Sequence, residues 1–181
     1  MLKIAILSIG QVDTRVLQFV QRGLNKAFFE AEATILQTAM PIPGEAYDLS
    51  GQQYRSAFIL AQMSKHFRNV DAQCVLGVTA VDLYATGLNF VFGEAQCPGK
   101  FALISLCRLK PEFYGEPIDS EHFLERALKE AVHEVGHVIG LQHCPNPLCV
   151  MFFSNSIEDT DRKRARFCED CHLLVHRVAE K

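Results

Sequence analysis

A single α/β domain with a small cysteine-rich C-terminal part is the fold class this sequence predicts, and three observations predict it. Short apolar runs alternate with helical patterns through the N-terminal half, as in strand–helix–strand units. Two β-rich segments then lie only a few residues apart, too close for a crossover helix. The end of the chain carries four of the seven cysteines in two close pairs. A length of 181 residues suits one domain with one substantial core.

Taking the elements in order, residues 3–9 are a short apolar run without helical period and read as a buried strand. Gly10 and a capping Asp13 follow. From 14 to 29, apolar residues recur at Val16, Leu17, Val20, Leu24, Ala27 and Phe28, one face of a helix. A strand at 32–38, a loop marked by Pro41, Pro43 and Gly44, a helix over 52–67 and an apolar strand at 74–79 continue the series. These strands are expected to pair in parallel. Residues 87–93 (GLNFVFG) and 101–106 (FALISL) should instead pair antiparallel, one of them at a sheet edge. A long helix should start at Asp119 or Ser120 and run to about Gly140. Its apolar stripe is Leu124, Leu128, Ala131, Val132, Val135 and Ile139, and Arg126, Glu130, His133 and His137 form a polar side. The expected organisation is one domain over 1–181, with an α/β body at 1–140 ending in that helix and a cap at 141–181.

A formal charge of -3 and a pI near 6.2 provide no basic field, so nucleic-acid binding is not expected. DRKRAR at 161–166 is a local basic run without interleaved aromatics and reads as a solvated charged turn. No apolar run approaches the roughly 20 residues of a membrane span, and the N-terminus has no secretory core. A cytoplasmic, reducing location and a monomer are expected.

The residues HEVGHVIGLQH carry the chemistry. His133 and His137 are one helical turn apart, about 40° apart in projection, so both imidazoles reach one ion. On a continued helix His143 would point roughly 120° away and sit about 9 Å further along the axis. The helix must therefore stop and double back, and Gly140 is where the left-handed conformation can end it. Three neutral histidines leave zinc one open position, the arrangement of a catalytic site. Glu134 is not placed as a fourth ligand and is the expected general base. A chance match to His-Glu-x-x-His-x-x-Gly-x-x-His has a rate on the order of 10⁻⁴ or less per chain, which disfavours surface residues of no function.

Cys144 and Cys149, with Cys168 and Cys171, fit a closed, structural four-cysteine zinc site, with disulfides as the competing reading. Such a zinc would hold a segment too small to be fixed by core burial. Cys74, Cys97 and Cys107 show no ligand spacing, and Cys74 and Cys107 read as buried thiols. His172 and His176 lack a third ligand and read as surface residues.

These motifs, with C-PNPL-C-V-M, C-ED-C and DLYATGLNFVFGEA at 82–95, resemble the archaemetzincins, zinc peptidases of the metzincin clan with an added four-cysteine zinc. The resemblance covers most of the chain. It implies a metzincin-like α/β domain: a twisted mixed β-sheet over an active-site helix, with a small C-terminal four-cysteine zinc subdomain and two Zn²⁺ per chain, one catalytic and one structural. It implies that Met151, core filler on the residues alone, is the Met-turn residue beneath the histidines. It also implies that Asn89, Phe90, Val91, Phe92 and Gly93 form the cleft-side edge strand to which a peptide or small-protein substrate adds. Some metzincins have a Tyr two residues after that Met; here the position is Phe153, so the group stabilising the oxyanion is unassigned, with Tyr84 and Tyr114 as names to check. Glu94 is one candidate to hold a substrate amine. The expected function is zinc-dependent peptide-bond hydrolysis; the alternative is a zinc-containing binding protein with an idle metal centre.

Overall fold

The computed structural model describes residues 1–179. Its elements are β1 (Leu2–Ile9), α1 (Thr14–Ala27), β2 (Ala31–Ile35), β3 (Tyr47–Asp48), β4 (Gln53–Arg55), α2 (Ser56–Phe67), β5 (Cys74–Thr79), β6 (Leu83–Tyr84), β7 (Gly93–Ala95), β8 (Phe101–Ser105), α3 (Ser120–Val138), α4 (Ile157–Arg162) and α5 (Glu169–Ala179). The main sheet has the order β2-β1-β5-β8-β7. Its first four strands are parallel, and β7 closes one edge antiparallel to β8, with Gly93 opposite Ile104 and Ala95 opposite Ala102.

Both faces of this sheet are covered, which is why its strands read as continuous apolar runs rather than as alternation. Ile4, Ile6, Cys74, Leu76, Val78, Ala102 and Ile104 face α1 and α3. Ala5, Leu7, Ile9, Val75, Phe101 and Leu103 face α2. Close approach between α1 and α3 depends on Gly23, where an added Cβ would lie 2.2 Å from Leu128 Cδ1. On α3, Ala127, Ala131, Val132, Val135 and Val138 are buried, and each buried valine contributes roughly 1.5–3 kcal/mol.

Two expected elements are displaced. The helix expected over 52–67 begins at Ser56, because Gln53–Arg55 pairs instead with β3 and β6 in a separate three-stranded sheet. Of the strand expected over 87–93 only Gly93 belongs to the main-sheet ladder, and that strand runs on to Ala95. Residues 89–92 are not ladder strand: Val91 N donates to Leu83 O at 3.0 Å, across toward the small sheet. Asn89 O instead accepts from Gln53 Nε2 at 3.0 Å, and the Arg108 guanidinium lies 4.4 Å over the Phe90 ring while forming a bidentate pair with Asp82. These contacts bend the segment out of the sheet plane and fix it over the end of α3.

The C-terminal segment folds against α3 and α1. Phe167 meets Phe28 edge-on at 5.3 Å, and Val150 N and Arg164 N donate to Arg166 O and Leu148 O. The expected cap at 141–181 is described to residue 179, and its last two positions lie outside the described residues. Among the described residues no helix is long and apolar enough to cross a membrane.

Candidate active site

Helix α3 positions the site. Asp119 caps its start, accepting from His122 N at 3.0 Å. At its end Gly140 adopts φ +99°, Gly140 N donates to His137 O and Leu141 N to Gly136 O, the paired bonds of a left-handed helix stop. The chain doubles back, and His143 returns to the helix end. His137 Nε2 then lies 3.1 Å from His133 Nε2 and 3.2 Å from His143 Nε2. A tetrahedral ion with Zn–N bonds of about 2.0–2.1 Å separates its nitrogens by roughly 3.3–3.4 Å, so the three imidazoles are spaced for zinc.

The other ring nitrogens set the tautomer. His133 Nδ1 donates to Val150 O at 2.8 Å and His137 Nδ1 to Leu141 O at 2.7 Å. A carbonyl only accepts, so Nδ1 carries the proton and Nε2 turns its lone pair to the centre. Burial pushes all three histidines below the usual imidazole range, His133 furthest, with the Lys163 cation adding to it. The ligand-competent neutral form is thereby favoured before any metal arrives.

Glu134 is buried beside His133, and burial, reinforced by Glu130, pushes its carboxyl well above the usual range. It is packed under β7: a Cβ on Gly93 would lie 2.5 Å from Glu134 Oε1. Residues 88–93, Glu130, His133, Glu134 and 153–155 surround a cavity of about 200 Å³. A larger groove of about 1080 Å³ runs past the cysteines and His143. Only the smaller cavity touches both His133 and Glu134, which makes it the one next to the chemistry.

Met151 is fully buried beneath the helix. Its Sδ would lie 2.5 Å from a Cβ on Gly136, so the glycine inside HEVGH is the space this methionine fills. Gly136 was not singled out by the sequence, where it stood at an unspecified position of the motif. Phe153 packs edge-on against His143, ring centroids 4.9 Å apart. Tyr114 commits its hydroxyl to Arg108 O, and Glu94 accepts a hydrogen bond from Ser56 Oγ at the start of α2, on the sheet face opposite Gly93.

The four cysteines 144, 149, 168 and 171 have their sulfurs within 4.8 Å of one another, unbonded to each other, with Cys144 and Cys168 at 3.7 Å. Zn–S bonds of about 2.3 Å in a tetrahedron separate sulfurs by roughly 3.8 Å, so the donor set fits zinc and not a disulfide pair. Cys74 lies deep in β5, where burial pushes its thiol up to about 12, while Cys97 is exposed and Cys107 half-buried. His172 and His176 approach each other to 2.9 Å, with no third ligand among the described residues.

The polar side of α3 and the charged run at 161–166 depart from expectation. Arg126, Lys129 and Glu130 are buried, and so is Lys163, at 0% side-chain exposure. Arg126 holds Asp161 through two bonds of 2.7 Å, Lys129 Nζ donates to Asp161 O, Thr160 Oγ1 donates to Glu130 Oε1, and Lys163 Nζ lies 2.9 Å from that oxygen. The run is therefore a clamp on α3, through a half-buried Asp161 and a fully buried Lys163, with its arginines exposed. The helix needs it because its polar face has no access to water.

A mixed sheet ending in an antiparallel edge strand, over a helix whose histidines converge on one point, defines a zinc metallopeptidase. The model of peptidase family M54 matches residues 48–177, and the chain belongs to that family. It is 47% identical over 171 residues to the archaemetzincin of Pyrococcus furiosus, covering 93% of this chain and 89% of that one. Against the archaemetzincin of Methanocaldococcus jannaschii it is 48% identical over 170 residues, covering 94% and 90%. The crystal structure of archaemetzincin from Methanopyrus kandleri superposes with a TM-score of 0.86 at 34% identity, over 99% of this chain and 96% of that one. That of the Archaeoglobus fulgidus protein, complexed with malonate, gives 0.78 at 42% identity, over 94% and 98%.

Proposed function

We propose that this metallopeptidase hydrolyses peptide bonds with Glu134 as general base, at a zinc held by His133, His137 and His143. The observation that carries the reading is the carboxylate of Glu134 enclosed beside three imidazoles whose lone pairs converge. When bound, zinc supplies Lewis-acid polarisation of the scissile carbonyl and makes water acidic enough to be deprotonated near neutral pH. Glu134 takes the proton of the attacking water and hands it to the leaving amine. Its burial excludes bulk water and raises its basicity toward the operating range. Gly93 leaves Glu134 room, and residues 89–93 border the space in which an extended substrate lies.

A second zinc at Cys144, Cys149, Cys168 and Cys171 makes two per chain in this reading. It anchors the cap expected at 141–181, described here to residue 179, on a single-domain body and so holds His143, the neighbour of Cys144. Met151 supports the histidines from below, and Gly140 turns the chain. The reading further places the enzyme in the cytoplasm as a monomer. Glu134→Ala should keep both metals and lose hydrolysis of a mixed peptide pool by at least about 100-fold. Cleavage at the parental rate sinks the mechanism, and full zinc content without any parental turnover favours an idle centre used for binding.

A further inference from the structure

We propose that the cavity beside Glu134 selects a tyrosine side chain of the substrate peptide, with Glu130 and Ser154 as its specificity-determining groups. The inference rests on the peptidase reading for its location next to the scissile bond. Its content comes from the cavity walls and floor.

The walls include Phe90, Phe92 and Phe153, an aromatic lining suited to an aromatic guest. At about 200 Å³ the space is many times what a single water needs and gives room for one ring-bearing side chain. An all-apolar pocket would end the matter there, but this one also has polar groups in its lining. Glu130 lines the cavity and is 2% exposed. Its Oε1 takes the Thr160 hydroxyl and the Lys163 ammonium, leaving Oε2 without a hydrogen bond from any described residue. Ser154 also lines the cavity, and its Oγ is sealed from solvent without a partner. A buried hydroxyl without a partner is uncommon and calls for an explanation, and the proposal has Ser154 turn about its χ1 torsion to present it to the space when the guest enters.

These groups discriminate by charge and by hydrogen bonding. Glu130 and Glu134 in the lining disfavour an anionic guest, and the Lys163 ammonium, 2.9 Å from Glu130 Oε1, offsets the pull of Glu130 on a cationic one. A neutral group that both donates and accepts satisfies the lining: a phenol O–H donates to Glu130 Oε2 and accepts from Ser154 Oγ. Phenylalanine fills the same walls but leaves both groups unpaired, the situation in which enzymes reject the analogue lacking a hydroxyl. A glutamine carboxamide has the donor and acceptor but no ring for the walls.

The test uses peptides identical except for Tyr, Phe, Gln, Lys or Glu scanned on each side of the scissile bond, cleaved by the zinc-loaded enzyme. Tyr should exceed Phe in kcat/KM by at least about 10-fold at one position, and Ser154→Ala should bring that ratio toward unity. Equal rates for Tyr and Phe, preference for Gln or a charged residue, or a ratio unmoved by Ser154→Ala overturn the proposal. Binding of the Tyr and Phe peptides to zinc-loaded Glu134→Gln protein, followed by calorimetry, separates the two readings. Tighter Tyr binding without any parental turnover retains the subsite and refutes the peptidase; turnover with equal binding does the reverse.

Discussion

Replacing Lys163 by Met should destabilise the protein by about 3–5 kcal/mol, the cost of stranding a buried carboxylate by removing its partner. The estimate follows from the environment of the pair. Lys163 has no solvent exposure and Glu130 almost none, so bulk water screens the stranded charge poorly, and water in the adjoining cavity offers hydrogen bonds to Glu130 but no countercharge. Thr160 keeps one hydrogen bond on Glu130 but brings no charge. Against a total stability of about 5–15 kcal/mol this is a large loss. The double variant Lys163→Met, Glu130→Leu removes both charges and should recover most of it, because hydrophobic replacement of a whole buried pair is often neutral. Urea denaturation of the four proteins of the cycle, all at one fixed excess of zinc, gives the coupling energy directly. A loss under about 1 kcal/mol for Lys163→Met, the range of exposed ion pairs, would refute the burial argument and return the segment to the solvated turn its composition suggests.

Gly136→Ala drives a methyl group into Met151 Sδ and should cost about 1–3 kcal/mol by overpacking, read by thermal unfolding, with Met151→Ala partly relieving it. Gly93→Ala should crowd Glu134 and lower kcat/KM by at least about 10-fold while circular dichroism and zinc content stay parental; unchanged kinetics would show that the Glu134 carboxylate does not rest against β7. Cys171→Ser should release one zinc and expose 141–179 to limited proteolysis, and retention of both metals would contradict the four-cysteine assignment. For the metal-free chain, folding lowers the pKa of His133 from 6.5, so the folded state binds fewer protons than the unfolded one. Stability is then complete above pH 6.5 and falls on acidification below it, with a slope approaching about 1.4 kcal/mol per pH unit for this histidine. Glu134, whose carboxyl is pushed up on folding, works in the opposite direction, so the measurement uses Glu134→Gln protein; urea midpoints there that do not move between neutral pH and pH 5.5 would contradict that sign.

The parts of this structure legible in the sequence are those where spacing has one geometric solution. His133 and His137 fix a helix face, His143 demands a helix stop, and Gly140 supplies it with the left-handed backbone observed. Strands β1 and β5 were legible because burial on both faces makes them uniformly apolar. Gln53–Arg55 was not, since a strand this short is defined by pairing partners far along the chain. The segment 89–92 has the composition of a strand, yet Gln53 and Arg108 draw it out of the ladder. Lys163 was misread for a related reason: a charged run looks solvated until the polar face it neutralises is known to be buried. Gly136 carries no local signal at all, because the atom that excludes a side chain there belongs to Met151.

The central claim is that zinc at the three histidines and Glu134 together hydrolyse peptide bonds. Stripping the chain with a chelator and returning zinc in steps, while bound metal and cleavage of a mixed peptide pool are followed by mass spectrometry on the same samples, tests it most directly. The account predicts two zinc ions per chain at saturation, no cleavage before the histidine site fills, and none at any loading in Glu134→Ala. Cleavage that survives metal removal, or that Glu134→Ala performs at the parental rate, would contradict it.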